Sequence, residues 1–239
     1  MSDRLTIVGL GGSLAEVSHS RAALEVALAG AADAGADTRL LDLRELDLPM
    51  YNPEAEAKPP ENAERLIETC YGADAMLWSS PMYQGTISGA FKNALDWLHP
   101  LGRRDPPYLH DTVVGLISAA GGTQGLQAIN TMEFATRALR AWAVPYVVPV
   151  LTAARVFDPD GRVRDEAIEA QLQTLGQEVV RVAKRFAADS SVHRASVSDE
   201  AGQAEARAAC GRMPTGGTLL PRRAAVSLLR LASAAAGIG

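Results

Sequence analysis

The chain has 239 residues, a formal charge of −5 and about average apolar and charged content for a soluble globular protein. That length allows one large domain, or a medium domain with an appendage, and the acidic balance argues against nucleic acid as a partner. No apolar run approaches the ~20 residues that span a bilayer, so no membrane association is expected.

Met1-Ser2-Asp3-Arg4 leads directly into an apolar run, so no signal peptide is expected. Cys70 and Cys210 stand far apart without CxxC spacing, which suits a reducing, cytoplasmic setting. His19, His99, His110 and His193 are scattered, and no metal is expected.

In chain order, Leu5 to Val8 is the first strand and Gly9 to Ser13 the turn after it. Ala22, Ala23, Leu24, Ala27, Leu28, Ala31 and Ala32 recur with helical period from about Ser20, and Gly35 is the stop. Thr38 to Leu43 is a second strand, and Arg44 to Pro60 a long surface connection. Ala63, Leu66, Ile67, Cys70 and Tyr71 mark an amphipathic helix. Ala75-Met76-Leu77-Trp78 is a strand buried on both faces. Ser88 is an N-cap, and Gly89 to Leu98 a helix with Phe91, Leu95 and Leu98 on one face. Lys92 and Asp96 make a solvated pair on that helix, and Phe91 and Trp97 read as packing residues. Thr112 to Ser118 is the fourth strand, Leu126 to Trp142 a helix and Pro145 to Leu151 the fifth strand. After a turn at Asp158-Pro159-Asp160-Gly161, Ile168, Leu172, Leu175, Val179, Val182 and Phe186 define one long helix ending near Ala188. Five strands alternating with five helices imply a parallel sheet covered on both faces.

Two loops carry the chemistry. A phosphate brings about two negative charges and several acceptors, and loop N–H groups at a helix N-terminus match it. After the first strand, Gly12-Ser13 is followed by Ser18, Ser20 and Arg21 at a helix start. Small polar residues there also suit a plain turn and N-cap, and both readings stand at this point. A Walker A loop needs Gly-Lys-Ser/Thr, which is absent. A dinucleotide fingerprint needs a third glycine where Leu14 stands, although Asp42 would suit a ribose. The second loop, Pro81-Met82-Tyr83-Gln84-Gly85-Thr86-Ile87, leaves the carboxyl end of the third strand, the edge where open α/β sheets bind ligands.

Ser80 to Trp97 reads Ser-Pro-x-Tyr-x-Gly-x-Ile-Ser-Gly-x-Phe-Lys-Asn-Ala-Leu-Asp-Trp and resembles the flavin-ring loop of the NAD(P)H-dependent FMN reductase family. Gly12-Ser13-x-x-x-x-Ser18-x-Ser20-Arg21 resembles the FMN-phosphate loop of the same family. The resemblance implies a flavodoxin-like three-layer sandwich with a five-stranded parallel sheet in order 2-1-3-4-5. It implies that Ser13, Ser18 and Ser20 donate to phosphate oxygens while Arg21 adds charge or a salt bridge. Pro81, Met82, Tyr83, Gln84, Gly85 and Thr86 are then expected along one edge of the flavin ring. Ser118, Ala119, Ala120, Gly121 and Gly122 are expected to present backbone N–H groups to the other. Met82 stands where many relatives have a glutamate.

The implied activity takes hydride from NADPH or NADH through FMN to a small-molecule electron acceptor (a flavin, quinone, azo or nitro compound) in ping-pong order. N5 of the cofactor carries the hydride, and no catalytic side chain is needed. Arg103 and Arg104 are candidates for a nucleotide 2′-phosphate. A homodimer or homotetramer is implied, with the apolar seam of the Leu126–Trp142 helix suited to the contact. The alternatives are a flavodoxin-like electron carrier and a non-catalytic binding protein on the same fold.

Residues 1–188 are read as the FMN-binding domain and 189–239 as a flexible C-terminal extension. Six arginines against four acids give the extension +2 and leave −7 on the domain, for the chain's −5. Within it, Leu219 to Ala236 could form a short helix.

Overall fold

The structure is a computed structural model that describes the backbone of residues 4–210 and the side chains of residues 4–188. Its strands are β1 (Thr6–Gly11), β2 (Asp37–Asp42), β3 (Ala75–Tyr83), β4 (Thr86–Ile87), β5 (Val113–Ala119) and β6 (Trp142–Val150). The five long strands lie parallel in the order β2-β1-β3-β5-β6, and β4 folds back antiparallel on the end of β3. This is the expected flavodoxin-like order, with one small hairpin strand added. The helices are α1 (His19–Asp33), α2 (Leu43–Leu46), α3 (Glu61–Tyr71), α4 (Gly89–Asp96), α5 (Leu126–Ala138), α6 (Ala153–Val156) and α7 (Glu166–Cys210).

The two faces of the sheet are separate apolar layers. Ile7, Ala75, Leu77, Val113 and Ile117 face Leu24 and Leu28 of α1 and Leu172, Leu175 and Val179 of α7. Val8, Leu10, Met76, Trp78 and Leu116 face α3, α4 and α5 through residues such as Leu66, Phe91 and Met132. Each fully buried Leu, Ile or Phe contributes about 1.5–3 kcal/mol, so these layers hold the strand ends in register. Gly30 and Gly176 let α1 and α7 cross backbone to backbone: a Cβ on Gly176 would lie 2.0 Å from the Ala27 carbonyl oxygen.

Local chemistry explains the element ends. Ser18 caps α1 by accepting from the Arg21 N–H at 3.3 Å, and Ser88 caps α4 by accepting from the Phe91 N–H at 3.1 Å. The long connection after β2 is partly ordered. Asp42 caps α2, Asn52 caps a 3-10 turn at Pro53–Ala55, and the Trp97 indole N–H donates to the Pro49 carbonyl at 2.8 Å. The Tyr51 hydroxyl bonds to Glu56, which pushes the phenol up to about 12 and holds the carboxyl below its usual range. Phe91 and Trp97 are buried packing residues, as expected. Cys70 is free, and burial pushes its thiol up.

Three expectations need correction. The first strand continues through Gly9 to Gly11, where a turn was expected, because Gly9, Leu10 and Gly11 pair with Leu77, Trp78 and Ser79 of β3. The helix expected over Leu126 to Trp142 stops at Ala138, because Arg140 takes a left-handed φ of 63° and turns the chain. Trp142 then opens β6, whose N–H donates to the Thr112 carbonyl at 2.9 Å. The aromatic and β-branched residues of that run favour an edge strand, where Pro145 is tolerated beside a bulge opposite Gly115. Finally, α7 does not end near Ala188 but runs to Cys210. No proline interrupts it, and its alanines, glutamates and glutamines favour the helix. The compact unit closes at Ser191. The short helix expected at Leu219 to Ala236 lies outside the described residues. Among those described, no helix is long and apolar enough to cross a membrane.

Candidate functional site

Register brings the two chemistry-bearing loops to one place. Gly11 sits beside Ser79, and Ser80 beside Ser118, so the loops leaving β1, β3 and β5 start side by side at the carboxyl edge of the sheet. Between them lies a cleft of about 280 Å³. Ser13, Ser18 and Ser20 line one part of it; Pro81, Met82 and Tyr83 line a second, and Ala119, Ala120 and Gly121 a third.

The first wall is a row of hydroxyls. Ser13 Oγ donates to Ser18 Oγ at 3.1 Å, and Ser18 Oγ lies 3.1 Å from Ser20 Oγ. The loop reaches this shape through Gly12, whose φ of +96° leaves only 3.0 Å between an added Cβ and Asp42 Oδ1. Its N–H donates to the Ser79 carbonyl at 3.2 Å, and the Ser79 hydroxyl donates to the Ser20 carbonyl at 2.7 Å. The wall is thus clamped to β3. The His19 and Ser20 N–H groups open α1 and have no carbonyl one turn back. Hydroxyl donors beside a helix N-terminus fit a phosphate monoester.

Arg21 does not line this cleft. Its guanidinium meets Asp42 at 3.1 Å, Glu25 at 2.9 Å and Glu45 at 4.0 Å, and the hydrogen bond it donates to Glu25 is the main reason its pKa is raised. Its charge is therefore paired with protein carboxylates. Asp42 is buried in that pair and caps α2, so it is not free for a ribose.

The second wall is a hairpin. Met82 pairs with Ile87 and Tyr83 with Thr86, joined by Gln84 and Gly85 at φ of 49° and 82°. Two successive positive φ angles match the twist of antiparallel strands. Gln84, Gly85 and Thr86 form the tip and do not line the cleft; Thr86 Oγ1 lies 3.0 Å from Thr131 Oγ1. The base is fixed by Ser80, whose hydroxyl accepts from the Ser88 N–H at 3.0 Å.

On the third wall Ser118 acts from beneath: it is fully buried and donates to the Gly125 carbonyl at 2.8 Å, shaping the loop without lining it. Gly122 also stays off the lining, and its carbonyl accepts from Thr152 N–H at 2.9 Å. Among the described residues, the Gly121 and Gly122 N–H groups donate no hydrogen bond.

Five contributions escaped sequence reasoning. Ala15 and Val17 lie within the loop after β1, and Ala153 and Ala154 come from α6, which follows β6. His19 also lines the cleft, its ring stacked on Phe157 at 5.7 Å and 12°. A small-residue pair directly after the fifth parallel strand was the available signal for α6. Arg103 and Arg104 lie elsewhere: the first meets Glu56 at 2.7 Å, the second Glu68 and the Tyr71 ring. Lys92 and Asp96 pair on α4 at 2.5 Å, as expected.

Comparison with known proteins adds an independent line. Residues 5–154 match the family model described as NADPH-dependent FMN reductase. An NAD(P)H-dependent FMN reductase of Pseudomonas aeruginosa is 32% identical over 184 residues, which cover 73% of this chain and 95% of that protein. An NADPH azoreductase of a Bacillus species is 34% identical over 119 residues, covering 50% of this chain and 64% of its own. Among solved structures, the flavoenzyme NAD(P)H:(acceptor) oxidoreductase from Paracoccus denitrificans superposes with a TM-score of 0.64 at 23% identity, over 76% of this chain and 98% of that one.

Proposed function

This chain belongs to the NADPH-dependent FMN reductase family, oxidoreductases that work with FMN and NAD(P)H, and from that premise we propose a two-substrate reductase with one shared cleft. The observation that carries this reading is the division of the cleft into a hydroxyl-lined part and a part walled by small or apolar residues. In this proposal Ser13, Ser18, Ser20 and the first N–H groups of α1 hold the phosphate of FMN. Pro81, Met82 and Tyr83 border one edge of the ring, and the Gly121 N–H faces the other, with Gly122 shaping the loop behind it. Gln84, Gly85 and Thr86 shape the hairpin that presents those contacts, Ser118 shapes the loop opposite, and Arg21 braces the phosphate loop. FMN, when bound, supplies the hydride acceptor and donor that no side chain offers. His19 and Tyr83 are the titratable side chains on the cleft among the described residues, so the protein's part is orientation and exclusion of water.

NAD(P)H and the second acceptor then use the same opening in turn, which is ping-pong order. The proposed acceptors are free flavin, quinones, azo compounds and nitroaromatics. Initial rates measured against both substrates should give parallel double-reciprocal lines, and one acceptor class should outrun the rest. Intersecting lines would overturn the shared cleft.

Residues 1–188 are proposed as the flavin-binding unit, since Ala183 is the last core residue that α7 contributes. A homodimer or homotetramer is proposed through the outer face of α5, where Leu126 and Phe134 remain 54% and 67% exposed. Sedimentation equilibrium should give at least twice the chain mass, and Phe134→Glu should return it to one; a monomeric parent chain would rule the contact out. The buried, free Cys70 suits a cytoplasmic setting.

A further inference from the structure

The phosphate loop is short of positive charge. Among the described residues lining the cleft and the adjoining hollow, Arg21 is the only one with a guanidinium or ammonium group, and that group is already paired with Asp42, Glu25 and Glu45. A flavin phosphate adds about two negative charges near pH 7. Hydroxyls and a helix N-terminus can solvate such a group, but neither neutralises it.

His19 is placed to do so. It occupies the first position of α1, between Ser18 and Ser20, and lines the same cleft as their hydroxyls. Its ring lies flat on the buried ring of Phe157, at 12° and 5.7 Å. Phe157 is in turn held by its N–H to the Ala153 carbonyl at 3.0 Å and by its pairing with Val163. The imidazole therefore keeps one orientation beside the phosphate loop and has little conformational freedom left to lose on binding. We infer that His19, in its charged form, is the cationic partner of the flavin phosphate, and that FMN affinity consequently falls as this imidazole loses its proton.

The inference rests on the phosphate placement proposed above. The charged and titratable groups around His19 are Glu16 of its own loop, Arg21 and Glu25 of α1, Asp160 of the turn after α6, and Tyr83 across the cleft. A bound phosphate would favour the protonated imidazole, because it carries about two negative charges. Binding and protonation are then linked, each favouring the other by the same factor.

The test is a proton NMR titration of the His19 ring in the full-length protein, free, with FMN and with riboflavin, which lacks the phosphate. FMN should raise the His19 midpoint by about one pH unit, equivalent to a tenfold linkage. Riboflavin should leave it within about 0.2 of a unit. Fluorescence titrations should show FMN affinity in His19→Gln reduced about tenfold at pH 6 and little changed at pH 8.5, while His19→Lys holds its affinity across that range. A midpoint that FMN does not move, in a protein that still prefers FMN to riboflavin through Ser13, overturns this inference alone. Equal affinity for FMN and riboflavin overturns the phosphate placement, and this inference with it.

Discussion

Replacing Ser13 and Ser18 together by alanine is expected to weaken FMN binding by about a hundredfold while leaving riboflavin binding nearly unchanged. Each hydroxyl bond to a charged group contributes about 1.5–3 kcal/mol. The two serines are themselves hydrogen-bonded at 3.1 Å, so their losses are not independent and fall short of a simple sum. Even the smaller of the two, counted twice, gives about two powers of ten. Ser18 has a second task as the N-cap of α1, and alanine there costs about 1 kcal/mol of stability in its own right. Ser18→Asp separates the two roles. Aspartate caps a helix as well as serine does, so the melting temperature should hold, yet its carboxylate would face the phosphate and repel it. FMN affinity of the double alanine variant within about threefold of the parent, measured by quenching of flavin fluorescence, would show that the phosphate lies elsewhere.

How much of this was legible beforehand depends on whether the signal was local. Strand order and the two loops could be read because Gly12 to Arg21 and Ser80 to Trp97 each carry their pattern in a short span, and because right-handed crossovers leave few orders open. The orientation of individual side chains was not local. Arg21 turns to Asp42 across the β1–β2 neighbours, and His19 is fixed by Phe157, which is distant in sequence. Neither partner is marked by any spacing. The Gln84-Gly85 turn was hidden because glutamine is an unusual residue at positive φ, where asparagine or glycine would have announced a hairpin. At α5 the helical period carried the expectation past Arg140, whose left-handed backbone has no sequence signature as strong as a glycine's. For α7 the error ran the other way: serines and glycines after Ala188 suggested an ending, while alanine-rich neighbours sustained the helix to Cys210.

Gly121 permits the sharpest test of the ring side of the cleft, because it separates binding from folding. Its φ lies outside the left-handed region, and a Cβ built on it meets nothing within 4 Å. A substitution there therefore carries no backbone strain, and its first added carbon meets no clash in the free protein. A larger side chain would instead project from a loop that lines a cleft of only about 280 Å³. Gly121→Ala should bind FMN within about threefold of the parent. Gly121→Trp should lose at least about a hundredfold, since an indole fills much of the volume the ring needs. Both variants should melt within about 2 °C of the parent, as exposed substitutions without a structural partner usually do. NAD(P)H oxidation should fall in step with flavin occupancy at a given FMN concentration, and excess FMN should restore part of it. If Gly121→Trp binds FMN as tightly as the parent, the loop after β5 does not border the ring. The small residues at Ala119, Ala120, Ala153 and Ala154 would then be packing against one another rather than making room for a flat ligand.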